Sequence, residues 1–184
     1  VHPGRLTVVT NLPAPGFWRG DTPATVDGGF EYGIARVLAS RFGLQLHVRQ
    51  VPFTDLVSGR VRGYDLGLSQ VSVTTGRAAV VDFSIPYFRS DAGILTRRAT
   101  AIPDLESART KTWVVQRGSV EADFVRDVVI PDRPVIYVDD IDAVVDTVRR
   151  GVAEAGLLDT VSALAAAHRS DGRLHVPAQF ALNQ

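Results

Sequence analysis

The spacing of apolar residues changes several times along the chain, and each change marks an element. Leu6-Thr7-Val8-Val9-Thr10 is apolar and β-branched, which predicts a short strand. It runs into Asn11-Leu12-Pro13-Ala14-Pro15-Gly16-Phe17-Trp18, where Pro and Gly forbid a helix and leave two aromatics on a loop. Phe30, Ile34, Val37, Leu38 and Phe42 then recur at helical spacing, and Gly43 is a natural stop. Leu44 to Arg49 alternates apolar and polar, as a strand does. A short helix over Thr54 to Val61 and a strand over Tyr64 to Ser69 complete the series. Strand–helix–strand–helix–strand predicts a parallel sheet with crossover helices.

The pattern loosens after Ser69. Val71 to Arg77 is rich in Ser and Thr and leads into a short helix, Pro86 excludes a central strand over Asp82 to Tyr87, and Ala92 to Thr96 is apolar and extended. A polar stretch over Arg97 to Glu106 separates this from a second alternation. Strands are expected over Thr112 to Gln116, Val135 to Val138 and Glu154 to Leu158, with Leu174 to Val176 extended. Helices are expected over Ser119 to Val128, over a segment capped near Asp140, and over Thr160 to His168. The two halves share a rhythm without a residue-level repeat.

Composition narrows the function classes. Hydrophobic residues make up 45% of 184 and charged residues 22%, which suits a packed core rather than a disordered chain. Twenty basic and twenty acidic residues cancel, so no broad positive field draws nucleic acid or anionic lipid. Cysteine is absent, which removes disulfides and thiolate chemistry. Methionine is also absent, so a processed or excised piece is expected, with a signal peptide removed ahead of Val1. His2, His47, His168 and His175 have no metal-ligand spacing, and neither a serine nucleophile elbow nor a phosphate loop is present. The sequence therefore points away from metals, cofactors and catalytic residues.

Five short segments carry a family pattern in order: Gly29-Phe30-Glu31-Tyr32-Gly33-Ile34-Ala35; Asp65-Leu66-Gly67-Leu68-Ser69 through Thr74-Thr75-Gly76-Arg77; Asp82-Phe83-Ser84-Ile85-Pro86-Tyr87; Gln116-Arg117-Gly118-Ser119; and Gly151 through Ala155 to Asp159. Together they resemble the polar-amino-acid-binding proteins of bacterial ABC importers, extracellular solute-binding proteins of family 3. The first segment has Glu31-Tyr32-Gly33 where that family tends to Asp-x-Asp. The resemblance implies two α/β lobes of the type II periplasmic-binding-protein fold, joined by a hinge of two crossover strands. Residues 1–96 would form lobe 1, 97–176 lobe 2 and 177–184 the second crossover. The family's return segment, which packs a final helix onto lobe 1, is expected to be missing, leaving the face near Ile34 and Leu38 uncovered.

The resemblance also implies a site. Arg77 would hold the α-carboxylate of an amino acid, since a planar guanidinium binds both oxygens; without the motif it reads as a solvated arginine. Asp159 would take the ammonium, or serve only as the N-cap of the following helix. Ser69, Gln70 and Ser72 read as a ligand-facing edge, or as a turn that needs small polar residues. Ser119 would add an anion contact from its turn. Phe17 and Trp18 read as an aromatic wall over the ligand or as core packing, whereas Phe83, Pro86 and Tyr87 read as packing for lobe 1. Asn11 stands where cation-selective members tend to carry an acid, and Arg117 lies near the mouth or faces water, so a polar uncharged or acidic side chain is favoured. The implied partners are a small amino acid and the membrane permease of an ABC transporter, for a monomeric protein outside the cytoplasm, periplasmic or extracellular. A sensing domain of a membrane receptor, a dehydratase-like enzyme and a protein-binding scaffold are the alternative uses of the same fold.

Overall fold

The computed structural model describes residues 3–181. The chain divides into two compact units between Pro86 and Tyr87. In the first unit, strand β1 (Arg5–Thr10) lies between β2 (Gln45–Gln50) and β3 (Leu66–Gly67), all parallel. The crossovers are helix α1 (Phe30–Arg41) and the short α2 (Phe53–Val57), and α3 (Thr75–Ala78) follows β3. β1 is buried from Leu6 to Thr10, as a central parallel strand must be. Helix α2 is shorter than its apolar spacing predicts, because Gly59 turns the chain at φ 68°. β3 keeps only two paired residues of the predicted run.

Helix α1 forms where expected and turns small residues inward. Its inward residues are Glu31, Ala35 and Ala39, while Phe30, Val37 and Phe42 are exposed and Ile34 and Leu38 are half-buried. Small residues let the helix lie close on the sheet, so the bulky apolar stripe faces away from it. Gly29 precedes the helix at φ 107°, where a Cβ would collide with the Phe17 carbonyl. That close approach lets the Phe30 and Glu31 amides donate to the Gly16 and Phe17 carbonyls, satisfying N–H groups that a helix start leaves open.

The second unit holds a mixed sheet of order β6-β5-β7-β4-β8, with β9 also on β4. Its strands are β4 (Ala92–Arg97), β5 (Trp113–Gln116), β6 (Ile136–Val138), β7 (Ala155–Asp159), β8 (Leu174–His175) and β9 (Gln179–Phe180). Its helices are α4 (Leu105–Arg109), α5 (Val120–Phe124), α6 (Ile141–Arg149) and α7 (Thr160–His168); a π-helical turn over Val125–Val129 continues α5. Strand residues alternate between two cores. Ile94, Trp113, Val115 and Leu157 pack with Val125 and Val129, while Leu95, Val114 and Leu158 pack with Val144, Val148 and Ala163. Covered on both faces, these strands read as continuous apolar runs.

β4 corrects the expected boundary at 96/97. It is buried from Ala92 to Thr96 and runs antiparallel between β7 on one side and β8 and β9 on the other, so it belongs to the second sheet. The polar stretch after Arg97 is therefore a connection inside this unit. Of the segment expected as a second crossover, Gln179 and Phe180 pair with Gly93 and Ala92, and residues 182–184 lie outside the described residues. Of the Asp82–Tyr87 segment expected to pack lobe 1, Phe83 is half-buried whereas Pro86 and Tyr87 are exposed, and the stretch joins no sheet.

Gly93 sets how closely α7 approaches β4. A Cβ there would lie 2.9 Å from the Ala163 Cβ and 3.3 Å from Val176 Cγ1. Gly93→Ala is expected to destabilise the protein by about 1–3 kcal/mol through overpacking, measured by urea unfolding; an unchanged midpoint would show that α7 moves freely.

Candidate functional site

In the first unit the candidate residues gather where the strands end. Asn11 follows β1, and its backbone N–H donates to Ser69 Oγ at 3.0 Å, just beyond β3. Its side-chain Nδ2 donates to the Val51 carbonyl at 3.2 Å, just beyond β2. The carboxyl ends of all three parallel strands are thus tied together, the end at which open α/β sheets bind ligands. Asn11 and Ser69 are both buried.

Gln70 turns away from this edge. It adopts φ 49°, and both its backbone N–H and its side-chain Nε2 donate to the Glu31 carboxylate. Trp18 Nε1 donates to the same carboxylate at 2.8 Å. Glu31 is wholly buried and was missed as a candidate. Two signals pointed to it: its helical register with Ala35 and Ala39, and the need of a buried indole N–H for an acceptor. Trp18 is 2% exposed and meets Tyr32 edge-on, and Phe17 is 3% exposed and meets Phe30 edge-on. Both rings pack on α1, because the loop carbonyls that cap α1 draw the loop onto the helix.

Arg77 is buried, not solvated. Its Nη1 donates to the Ser72 carbonyl at 2.9 Å, and its guanidinium carbon lies 5.6 Å from the centroid of the Phe53 ring. Its backbone N–H bonds Thr74 Oγ1, which caps α3. The guanidinium plane is thus fixed from two sides, which suits a group that must receive an anion in one orientation. Ser72 contributes through its carbonyl, by holding Arg77.

In the second unit, β5 and β7 are parallel and end in Gln116 and Asp159. Gln116 is buried and its Nε2 donates to the Asp139 carbonyl at 3.1 Å. Gly118 turns the chain at φ 76°, and Ser119, buried, caps α5 by accepting from the Ala122 N–H at 3.1 Å. Asp159 Oδ1 caps α7 by accepting from the Ser162 N–H at 2.9 Å. Burial pushes the Asp159 carboxyl above the usual carboxylate range, opposed by hydrogen bonds from Ser162 and Val161. The cap leaves it a carboxylate incompletely compensated for the water it has lost. Arg117 is drawn to the sheet edge: its Nη2 donates to the Tyr137 carbonyl, its guanidinium stacks on the Tyr137 ring, and Asp139 lies 3.4 Å away. Its guanidinium is thereby held at the sheet edge, beside an exposed Asp139.

Residues 6–177 match the bacterial extracellular solute-binding proteins, family 3. The chain belongs to this family. The arginine-binding extracellular protein ArtP of Bacillus subtilis is 31% identical over 94 residues, 50% of this chain and 37% of that protein. The chain therefore matches well under half the length of this relative. The fold agrees over much more. Holo ArgBP from T. maritima superimposes with a TM-score of 0.84 at 26% identity, covering 97% of this chain and 81% of that one. An ancestral arginine-binding protein bound to glutamine gives 0.85 at 24% identity, covering 98% and 81%. Both family and fold are those the motifs implied.

The raised pKa of Asp159 has a sign that can be checked. A carboxyl whose folded pKa lies above its unfolded value contributes stability below the unfolded pKa and loses it as pH rises through the folded one. Asp159→Asn removes that loss and keeps a good N-cap. The variant, free of ligand, is expected to melt a few degrees above the parent at pH 7, with the gain vanishing at acid pH. Melting curves across that range test this; a variant less stable at pH 7 would show that the charge stabilises α7.

Proposed function

We propose that this protein captures one small, polar, uncharged amino acid outside the cytoplasm, as a monomer, and presents it to the permease of an ABC importer. Arg77 takes the α-carboxylate and Asp159 the α-ammonium. Ser69, Ser72 and the Ser119 turn shape the surroundings of the two ionic contacts. No bond is made or broken, so the ligand acts only by favouring the state that it binds best.

The observation that carries this reading is the buried Arg77 guanidinium, oriented by Ser72 and Phe53 at the family motif's arginine position. Asp159 supports it from the other side of the chemistry. Its carboxylate is partly desolvated, and an ammonium would relieve that cost. Asn11 and Arg117 bear on the side chain. The relatives described above are named for arginine, but a cationic side chain needs an anion when removed from water, and Asn11 offers a neutral amide that is bonded to Val51. Arg117 is held beside Asp139, which weakens the case for an acidic ligand and leaves the uncharged polar class.

Calorimetry with glutamine, asparagine, arginine and glutamate tests the side chain, and glutamine or asparagine is expected to bind tightest. A clear preference for arginine would overturn the side-chain reading and leave the clamp standing. Arg77→Ala is expected to cost about 2–5 kcal/mol, roughly 30- to several-thousand-fold in affinity. Arg77→Lys should recover little, because it keeps the charge and loses the fork. Asp159→Asn should weaken binding by a similar order. If Arg77→Ala, folded by circular dichroism, binds like the parent, the carboxylate clamp lies elsewhere.

A further inference from the structure

Glu31 is a wholly buried ionisable side chain to which the proposed binding chemistry gives no task. Its carboxylate receives three donors from two places. Trp18 Nε1 reaches it from the loop after β1, while the backbone N–H and Nε2 of Gln70 reach it from the turn after β3. Gln70 is in the left-handed region at φ 49°, a conformation that L side chains rarely adopt and that persists where surrounding groups enforce it. The main-chain bond from Gln70 N to Glu31 Oε1, 2.8 Å long, is the contact that enforces it.

The turn at Gln70 sits between the two groups that matter for the anion. On one side Ser69 is bonded to Asn11. On the other, the Ser72 carbonyl holds Arg77. Only Val71 separates Gln70 from Ser72, so the handedness at Gln70 sets where that carbonyl stands and hence where the guanidinium points.

We propose that Glu31 is a positioning residue: its buried carboxylate holds Gln70 left-handed and so aims the Ser69–Ser72 segment and Arg77 at the ligand carboxylate. This rests on the reading of Arg77 as the carboxylate clamp.

The test is Glu31→Gln, alone and with Gln70→Gly. An amide side chain has one acceptor oxygen and cannot receive Trp18 and both Gln70 donors. Glu31→Gln, folded by circular dichroism, is expected to lose affinity for the amino acid by about tenfold or more. Glycine at position 70 adopts positive φ freely, so the double variant should recover a good part of that loss. An unchanged affinity in folded Glu31→Gln would overturn the proposal. A loss that glycine does not reduce would also overturn it, since Glu31 would then act by some route other than the turn. Nuclear magnetic resonance on the ligand-free proteins gives a second, independent reading. With two tryptophans in the chain, the Trp18 indole N–H is readily assigned. In Glu31→Gln that signal should shift together with the Gln70 and Ser72 amides and the Arg77 Nε–H. A shift confined to Trp18 and Gln70, with Ser72 and Arg77 unmoved, would refute the positioning. A parent that binds no amino acid would count against the ligand reading alone, and the resonances would then decide the role of Glu31.

Discussion

A carboxylate removed from water must be given donors, and Glu31 shows how much structure that requirement organises. Left unmatched, a buried charge of this kind costs several kcal/mol. Matched by an indole N–H, a main-chain N–H and a side-chain amide, it becomes a junction for three chain segments remote in sequence. The loop after β1 is drawn onto α1, which buries Trp18 and Phe17. The turn after β3 is drawn toward the same helix, which fixes Gln70. The closeness of α1 to the sheet, permitted by Ala35 and Ala39, brings the carboxylate within reach of both. Arg77 inherits its orientation at the end of this chain of contacts.

The second unit solves the opposite problem. Asp159 is given a helix cap but not full compensation, and its raised pKa records the difference. One carboxylate thus serves the fold through Oδ1 while burial still raises its pKa. Natural proteins commonly give up stability at the positions they use. The contrast with Glu31 is one of burial: Glu31 is wholly buried among donors, whereas Asp159 is half-buried at the start of α7.

Much of this was legible from sequence alone, where one element dominates its own pattern. The buried strands β1, β5 and β7 and the capped helices α6 and α7 follow from apolar runs and from Asp140 and Asp159 as caps. The errors have physical causes. The inward face of α1 is not legible from bulk, because close packing on the sheet selects alanine. Glu31 escaped notice because an acid on a helix normally faces water, and only the donors that reach it from Trp18 and Gln70 reverse that expectation. Pairing misplaced the boundary: Ala92 to Thr96 reads as extended in either unit, and only its partners β7, β8 and β9 decide to which sheet it belongs. The motif positions of Arg77 and Asp159 are legible in the sequence, but their burial and hydrogen bonds are not.

The position of Arg117 has a consequence of another kind. β6 is the outer strand of the second sheet, only three residues long, and such edges invite pairing with other chains. Arg117 lies across it, covering the Tyr137 ring and occupying the Tyr137 carbonyl. A charged side chain that both screens the edge and consumes one of its acceptors protects against strand-to-strand aggregation. That protection bears on how long such a chain stays soluble as its concentration rises.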